Sequence, residues 1–343
     1  MTDAAERLPV PFELADAYAQ DDRLKEVFSR YSQLDLKSML KDLPSLQTPD
    51  NGGASFVDMV PKGKDFDETE ALIVPMHYQA GWDPANKIRL LILSHSLDKP
   101  KRIIVFPNDT LREHSLNLDT KNYPIIHQGD FTPIAEQYFK TLDSLGIKKF
   151  QEIGYSQAGA VGATVLRRAA SKGYFEIGNS GLIDPPNTFA RSFRELEEAF
   201  IATKLSELNA AVEASGIPAF SQAEHAKRSE IGKELAHLAF YELRSEFEPN
   251  TSIKHGFTIP HFLDDVSAAL GSAKDLHLLV VAPSNSRIMP PEMASNIEKH
   301  LEGFGERSKW LRVSGYGHEI GHNLIAYTLI AKMALRDSAE LAQ

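Results

Sequence analysis

The sequence predicts an α/β fold: a mostly parallel central sheet flanked by helices on both faces, with a helical cap inserted into it. Three observations carry this expectation. Short aliphatic and β-branched runs alternate with longer segments of helical spacing, the pattern of a sheet covered on both sides. The separators between the short runs are rich in Gly, Pro, Asp and Asn, as strand ends are. Residues 187–270 change texture, becoming charged and helical in pattern with few strand signals, as an insertion would.

The chain has 343 residues, 42% of them hydrophobic and 24% charged, which is the composition of a folded globular protein. Lysine and arginine number 37 against 47 acidic residues, a net charge of −10. Such a surface repels nucleic-acid phosphates and anionic lipid head groups, so neither nucleic acid nor membrane is expected as a partner. Cysteine is absent, which removes disulfides, thiol catalysis and cysteine-ligated zinc together. The N-terminus lacks a basic stretch followed by an apolar run, and no segment approaches the ~18 apolar residues of a membrane span, so a cytoplasmic protein is expected.

Taken in order, residues 1–65 read as a helical arm, with apolar residues at mixed three and four spacing over 12–18 and 24–43. Pro44, Pro49 and Asn51-Gly52-Gly53 end it. Such an arm packs on the core or on a second copy of the chain, forming a homo-oligomer. The core is expected over 66–186 and 271–343. Its first strands are read at Ala71–Tyr78, Ile88–His95 and Arg102–Phe106, with a weaker one at Tyr123–His127. A helix follows from Asp130 or Thr132, with Pro133 in its first turn, a stripe of Ile134, Tyr138, Leu142 and Leu145, and Gly146 at its end. Next come a strand from Lys149 to Ile153, a helix ending at Gly173, and a strand from Tyr174 to Ile183 that stops at Asp184-Pro185-Pro186. The insertion, 187–270, has helical patterns near 192–214, 221–247 and 260–270. Beyond it lie strands from Leu276 and Lys309, separated by a helix near 292–301, and a closing helix from Glu319 to Leu335.

Between a strand and a helix stands Gly154-Tyr155-Ser156-Gln157-Ala158-Gly159. This turn resembles the nucleophile elbow of the α/β-hydrolase family, usually Gly-x-Ser-x-Gly, with Ala158 in place of the commoner glycine. A nucleophile held in so sharp a turn needs small residues two positions away on each side, which Gly154 and Ala158 supply. The resemblance covers roughly residues 70–335. It implies Ser156 as nucleophile and, on the glycine-rich Ser314-Gly-Tyr-Gly-His318 after the last strand, His318 as general base.

The family most often carries its acid after the penultimate strand, where this chain has Ser284-Asn285-Ser286. Asp184, just beyond the preceding strand, is therefore assigned as the acid that orients His318, with Asp264, Asp265 and Asn285 as alternatives. The oxyanion donors implied are the backbone N–H groups of Gln157 and of Asn108, since Pro107 has none.

The resemblance implies a serine hydrolase that cleaves a small carboxylic ester or acyl substrate, with amides open to the same chemistry and no organic cofactor. The insertion would shape an acyl pocket through apolar side chains such as Phe193, Leu196, Phe200, Leu238 and Phe240. Two other readings stand beside this one. The departures at 158 and 286 and the long arm fit a hydrolase fold kept as a catalytically inactive scaffold. His318-Glu319-Ile320-Gly321-His322 also fits His-Glu-x-x-His, the zinc-protease pattern of two ligands on one helical face. The metzincin continuation fails, because its positions hold Ile325 and Thr328, so no metal is assigned.

Overall fold

A computed structural model of the chain describes residues 13–34, 36–63, 66–76, 82–107, 118–226 and 249–336. The strands are β1 (Val57–Met59), β2 (Glu70–Pro75), β3 (Arg102–Phe106), β4 (Lys149–Tyr155), β5 (Glu176–Ile177), β6 (Ser180–Ile183), β7 (Leu278–Pro283) and β8 (Ser308–Val313). The N-terminal helices are α1 (Leu14–Gln20), α2 (Asp22–Gln33) and α3 (Leu36–Lys41). Those of the middle are α4 (Pro84–Ser96), α5 (Tyr123–His127), α6 (Thr132–Ser144), α7 (Gln157–Lys172), α8 (Phe193–Ser206) and α9 (Leu208–Glu213). Residues 218–226 are also helical. The last helices are α10 (Pro249–Gly256), α11 (Phe262–Ser272), α12 (Pro291–Glu302) and α13 (Leu324–Leu335).

Several expected elements are corrected. Ile88–His95 lies in α4 and is not a strand: the Asp83 carboxylate accepts the Asn86 N–H at 3.0 Å, and Pro84 begins the first turn. Tyr123–His127 is helix α5, again with proline in the first turn. The run from Tyr174 to Ile183 breaks at Gly178-Asn179 into β5 and β6. The closing helix is two elements, because Asn323 caps α13 by accepting the Ala326 N–H, leaving His318–His322 as a separate 3-10 turn. The helix read over 221–247 falls largely outside the described residues, as do Leu238 and Phe240.

The sheet runs β1-β3-β2-β4-β6-β7-β8, with β5 on the first two residues of β4. Among the described strands only β1, on β3, pairs antiparallel. The strand after β2 lies on one side of it, and the next, β4, on the other. That reversal makes β2 and β4 the switch point beyond whose carboxyl ends open parallel sheets place their sites.

Alternation along the strands divides the core. Leu72, Val74 and Ile153 face a layer built from α4, α13 and the N-terminal helices. Ala71, Ile73 and Phe150 face the layer of α6, α7, α11 and α12. The N-terminal helices pack on this core through Leu14, Leu24, Phe28 and Tyr31. Within 187–270, Val212 and Phe220 join the first layer, and Phe262 and Val266 the second. There Asp265 bridges α11 to α7, accepting from Thr164 and pairing with Arg167 at 2.6 Å. Among the described residues no helix is long and apolar enough to cross a membrane.

Candidate active site

Three consecutive features of the chain place Ser156. Strand β4 ends at Tyr155, the Ser156 N–H donates to the Ile183 carbonyl of β6 at 2.7 Å, and α7 begins one residue later. The turn forces Ser156 to φ 56°, ψ −124°, a conformation that side-chain-bearing residues adopt only under constraint. A methyl on Gly154 would sit 2.6 Å from the Ala158 carbonyl oxygen, so only glycine fits there. Gly162 has a similar role one turn into α7, where a methyl would meet the Glu152 carboxyl at 2.5 Å.

Strand β8 ends at Val313 and its following turn carries His318 back over the elbow. Ser156 Oγ lies 2.9 Å from His318 Nε2, and His318 Nδ1 lies 2.7 Å from Asp184 Oδ2. All three side chains are buried. Asp184 also has positive φ, 47°, and is held there by its N–H donating to Val281 O at 2.8 Å. The imidazole is itself fixed from the sides. Tyr155 lies beside it, its ring tilted by 33° at 5.5 Å, and donates its hydroxyl to the His318 carbonyl at 2.6 Å, while the Phe200 ring meets it edge-to-face at 5.3 Å. Burial, aided by the carboxylates of Glu319 and Asp184, pushes the Tyr155 phenol well above its ordinary range, so it stays a donor.

No protein-family model matches this sequence, and no curated protein does. Among solved structures, a bromoperoxidase from Bacillus anthracis superposes with a TM-score of 0.53 at 11% identity, over 82% of this chain and 95% of that one. A Bacillus subtilis protein provisionally assigned as a hydrolase superposes with a TM-score of 0.52 at 15% identity, over 91% and 96%. Together with the strand order and the elbow, these likenesses decide the architecture. The chain has the α/β-hydrolase fold.

Within that fold, the structure brings Ser156, His318 and Asp184 together and leaves the alternatives for the acid elsewhere. Asp265 is engaged with Arg167 and Thr164 in the α7–α11 contact, and the Asn285 side chain accepts from its neighbour Ser284. Gln157 opens α7, where the first N–H groups of a helix have no partner within it. Asn108 lies outside the described residues, and β3, which leads to it, is separated from β4 by β2.

The zinc pattern does not survive the geometry. Two histidines four apart share a face on an α-helix, but on the 3-10 turn they occupy they diverge. Both ring nitrogens of His318 are also committed, and His322 turns instead to Glu319 at 3.3 Å and Glu224 at 3.6 Å. No group of three or more metal-ligating side chains occurs among the described residues.

Two residues escaped the sequence reading. Arg191 donates through Nη2 to the carbonyls of Pro186, at 3.1 Å, and Ile288, fastening the loop after β6 to the loop after β7. Burial lowers its guanidinium to about 10, which leaves it charged at neutral pH. Glu207 lies against Gly317, beside His318, and burial together with Glu319 raises its carboxyl above the ordinary range. No local motif marks either residue. Only the return of separate loops to one place gives them neighbours.

Proposed function

We propose that the chain is a serine hydrolase that cleaves carboxylic esters by acyl transfer to water, with amides as the harder substrates of the same machinery. The unbroken line from Ser156 Oγ through both nitrogens of His318 to Asp184 is the observation that supports it. As Ser156 Oγ bonds to the substrate carbonyl carbon, its proton passes to Nε2 and the carbonyl electrons move to oxygen. The N–H of Gln157 supports that oxyanion. When the intermediate collapses, the leaving alkoxide takes the proton from Nε2 and departs, and the acyl group stays on Ser156. Water then gives its proton to Nε2 and attacks the acyl carbon, and the returning proton frees Ser156 as the acid leaves. Throughout, Asp184 holds Nδ1–H and offsets the charge on the imidazolium.

A fluorophosphonate probe tests the reading. It should label the native chain, and Ser156→Ala, folded by circular dichroism, should take no label. Labelling absent from the native chain as well, with no turnover across a panel of p-nitrophenyl esters, would leave a fold without catalysis.

A further inference from the structure

We propose that Ser286 is a positioning residue of the catalytic apparatus, whose hydroxyl fixes the orientation of Asp184 and shares the charge it turns toward His318. The inference rests on the serine-hydrolase reading and adds to it a fourth side chain that the nucleophile, base and acid do not require.

Ser286 is buried in the loop after β7, and its Oγ has three neighbours. The backbone N–H groups of Ile288 and Met289 point at it, at 3.0 and 3.1 Å, and Asp184 Oδ2 lies 2.6 Å away. A serine hydroxyl offers one O–H and two lone pairs. The two amides are donors and occupy the lone pairs, so the proton is left for Asp184. The hydroxyl therefore donates to the carboxyl and cannot act as an acceptor toward it.

Asp184 Oδ1, by contrast, has no partner among the described residues. Both donors, Ser286 O–H and His318 Nδ1–H, thus converge on one oxygen. This convergence has two effects. It prevents the carboxylate from rotating to present Oδ1, and it shares the negative charge that faces the imidazole between two donors. The loop that carries Ser286 is anchored independently, by the Ser286 N–H donating to Pro283 O and by Arg191 on Ile288 O. Arg191 faces Asp184, and Glu207, with Glu319 and Arg287 about it, faces His318; none of these changes in the variants below.

The test compares native protein with Ser286→Ala, Ser286→Cys and Ser286→Thr. Ala removes the donor, Cys keeps the shape with a weaker one, and Thr keeps the hydroxyl. With a p-nitrophenyl ester, Ser286→Ala should lose kcat by about ten- to hundredfold, the range of one hydrogen bond to a charged group, with KM nearly unchanged. The acid limb of its rate profile should move to higher pH, since a carboxylate short of one donor binds the imidazolium more tightly. Cys should fall between, and Thr should restore native behaviour; Cys also carries the test if Ala does not fold.

A readout independent of turnover is the downfield proton resonance of His318 Nδ1–H, identified by its loss in Asp184→Asn. It should be displaced in Ser286→Ala and native in Ser286→Thr. A folded Ser286→Ala with native kcat, native acid limb and an unmoved resonance would overturn the proposal, even if its melting temperature fell. If instead the native chain takes no fluorophosphonate while the resonance still responds to Ser286, the hydrolase reading fails and the hold on Asp184 stands.

Discussion

At the scale of single residues, the site is built on two backbone conformations that side chains resist. Ser156 and Asp184 are the only non-glycine residues with positive φ among those described, and both belong to the proposed triad. Ser156→Gly should therefore remove the strain along with the nucleophile. We expect it to gain about 1 kcal/mol in urea unfolding, the strain relieved less the added freedom of the unfolded chain. Gly154→Ala should do the reverse, losing about 1–3 kcal/mol as its methyl drives into the Ala158 carbonyl. The serine and the histidine were legible in the sequence because each stands in a short motif between recognisable elements. Asp184 was legible only as a position, a carboxylate just past a strand. What completes it, the hydroxyl of a serine about a hundred residues later, depends on β6 and β7 being neighbours, which no local pattern records.

At the scale of elements, success and failure divide along capping and length. Helix α6 and the strand-turn-helix of β4 and α7 were readable because proline, glycine and spacing agreed at both ends. Helix α4 was misread because it is buried on almost every side. Its residues from Leu90 to Leu93 form the short apolar run that a buried strand also shows. The deciding signal was Asp83-Pro84, a cap followed by a first-turn proline. Asp83→Ala should accordingly cost about 1 kcal/mol in urea unfolding, as lost N-caps do. A residue merely preceding a strand would show no such loss. The 3-10 turn at His318–His322 was hidden similarly, since Asn323 resembles an ordinary polar helical residue until its side chain is seen to cap α13.

At the scale of the molecule, a layered core with a carboxyl inside it makes stability depend on pH. Glu152 lies on β4 facing α7, buried, with no hydrogen-bond partner for either oxygen among the described residues. Burial raises its carboxyl well above the ordinary 4.5. Above pH 4.5 the unfolded chain has released this proton while the folded chain keeps it. Stability should thus fall as pH rises from there toward the raised folded value, by up to about 1.4 kcal/mol per pH unit from this group. Urea midpoints at pH 5 and pH 7 should show native protein losing more than Glu152→Gln, and equal losses would disprove the assignment.

The long-range architecture has a further consequence, which concerns biosynthesis. Helices α1 and α2 pack in the same layer as α13, and the buried ammonium of Lys332 reaches Asp21, at the junction of α1 and α2, at 2.6 Å. Helix α1 therefore packs on a helix made some three hundred residues later, and that flank of it stays uncovered until α13 has been translated. A nascent chain stalled before Leu324 would leave that flank of α1 open to chaperones.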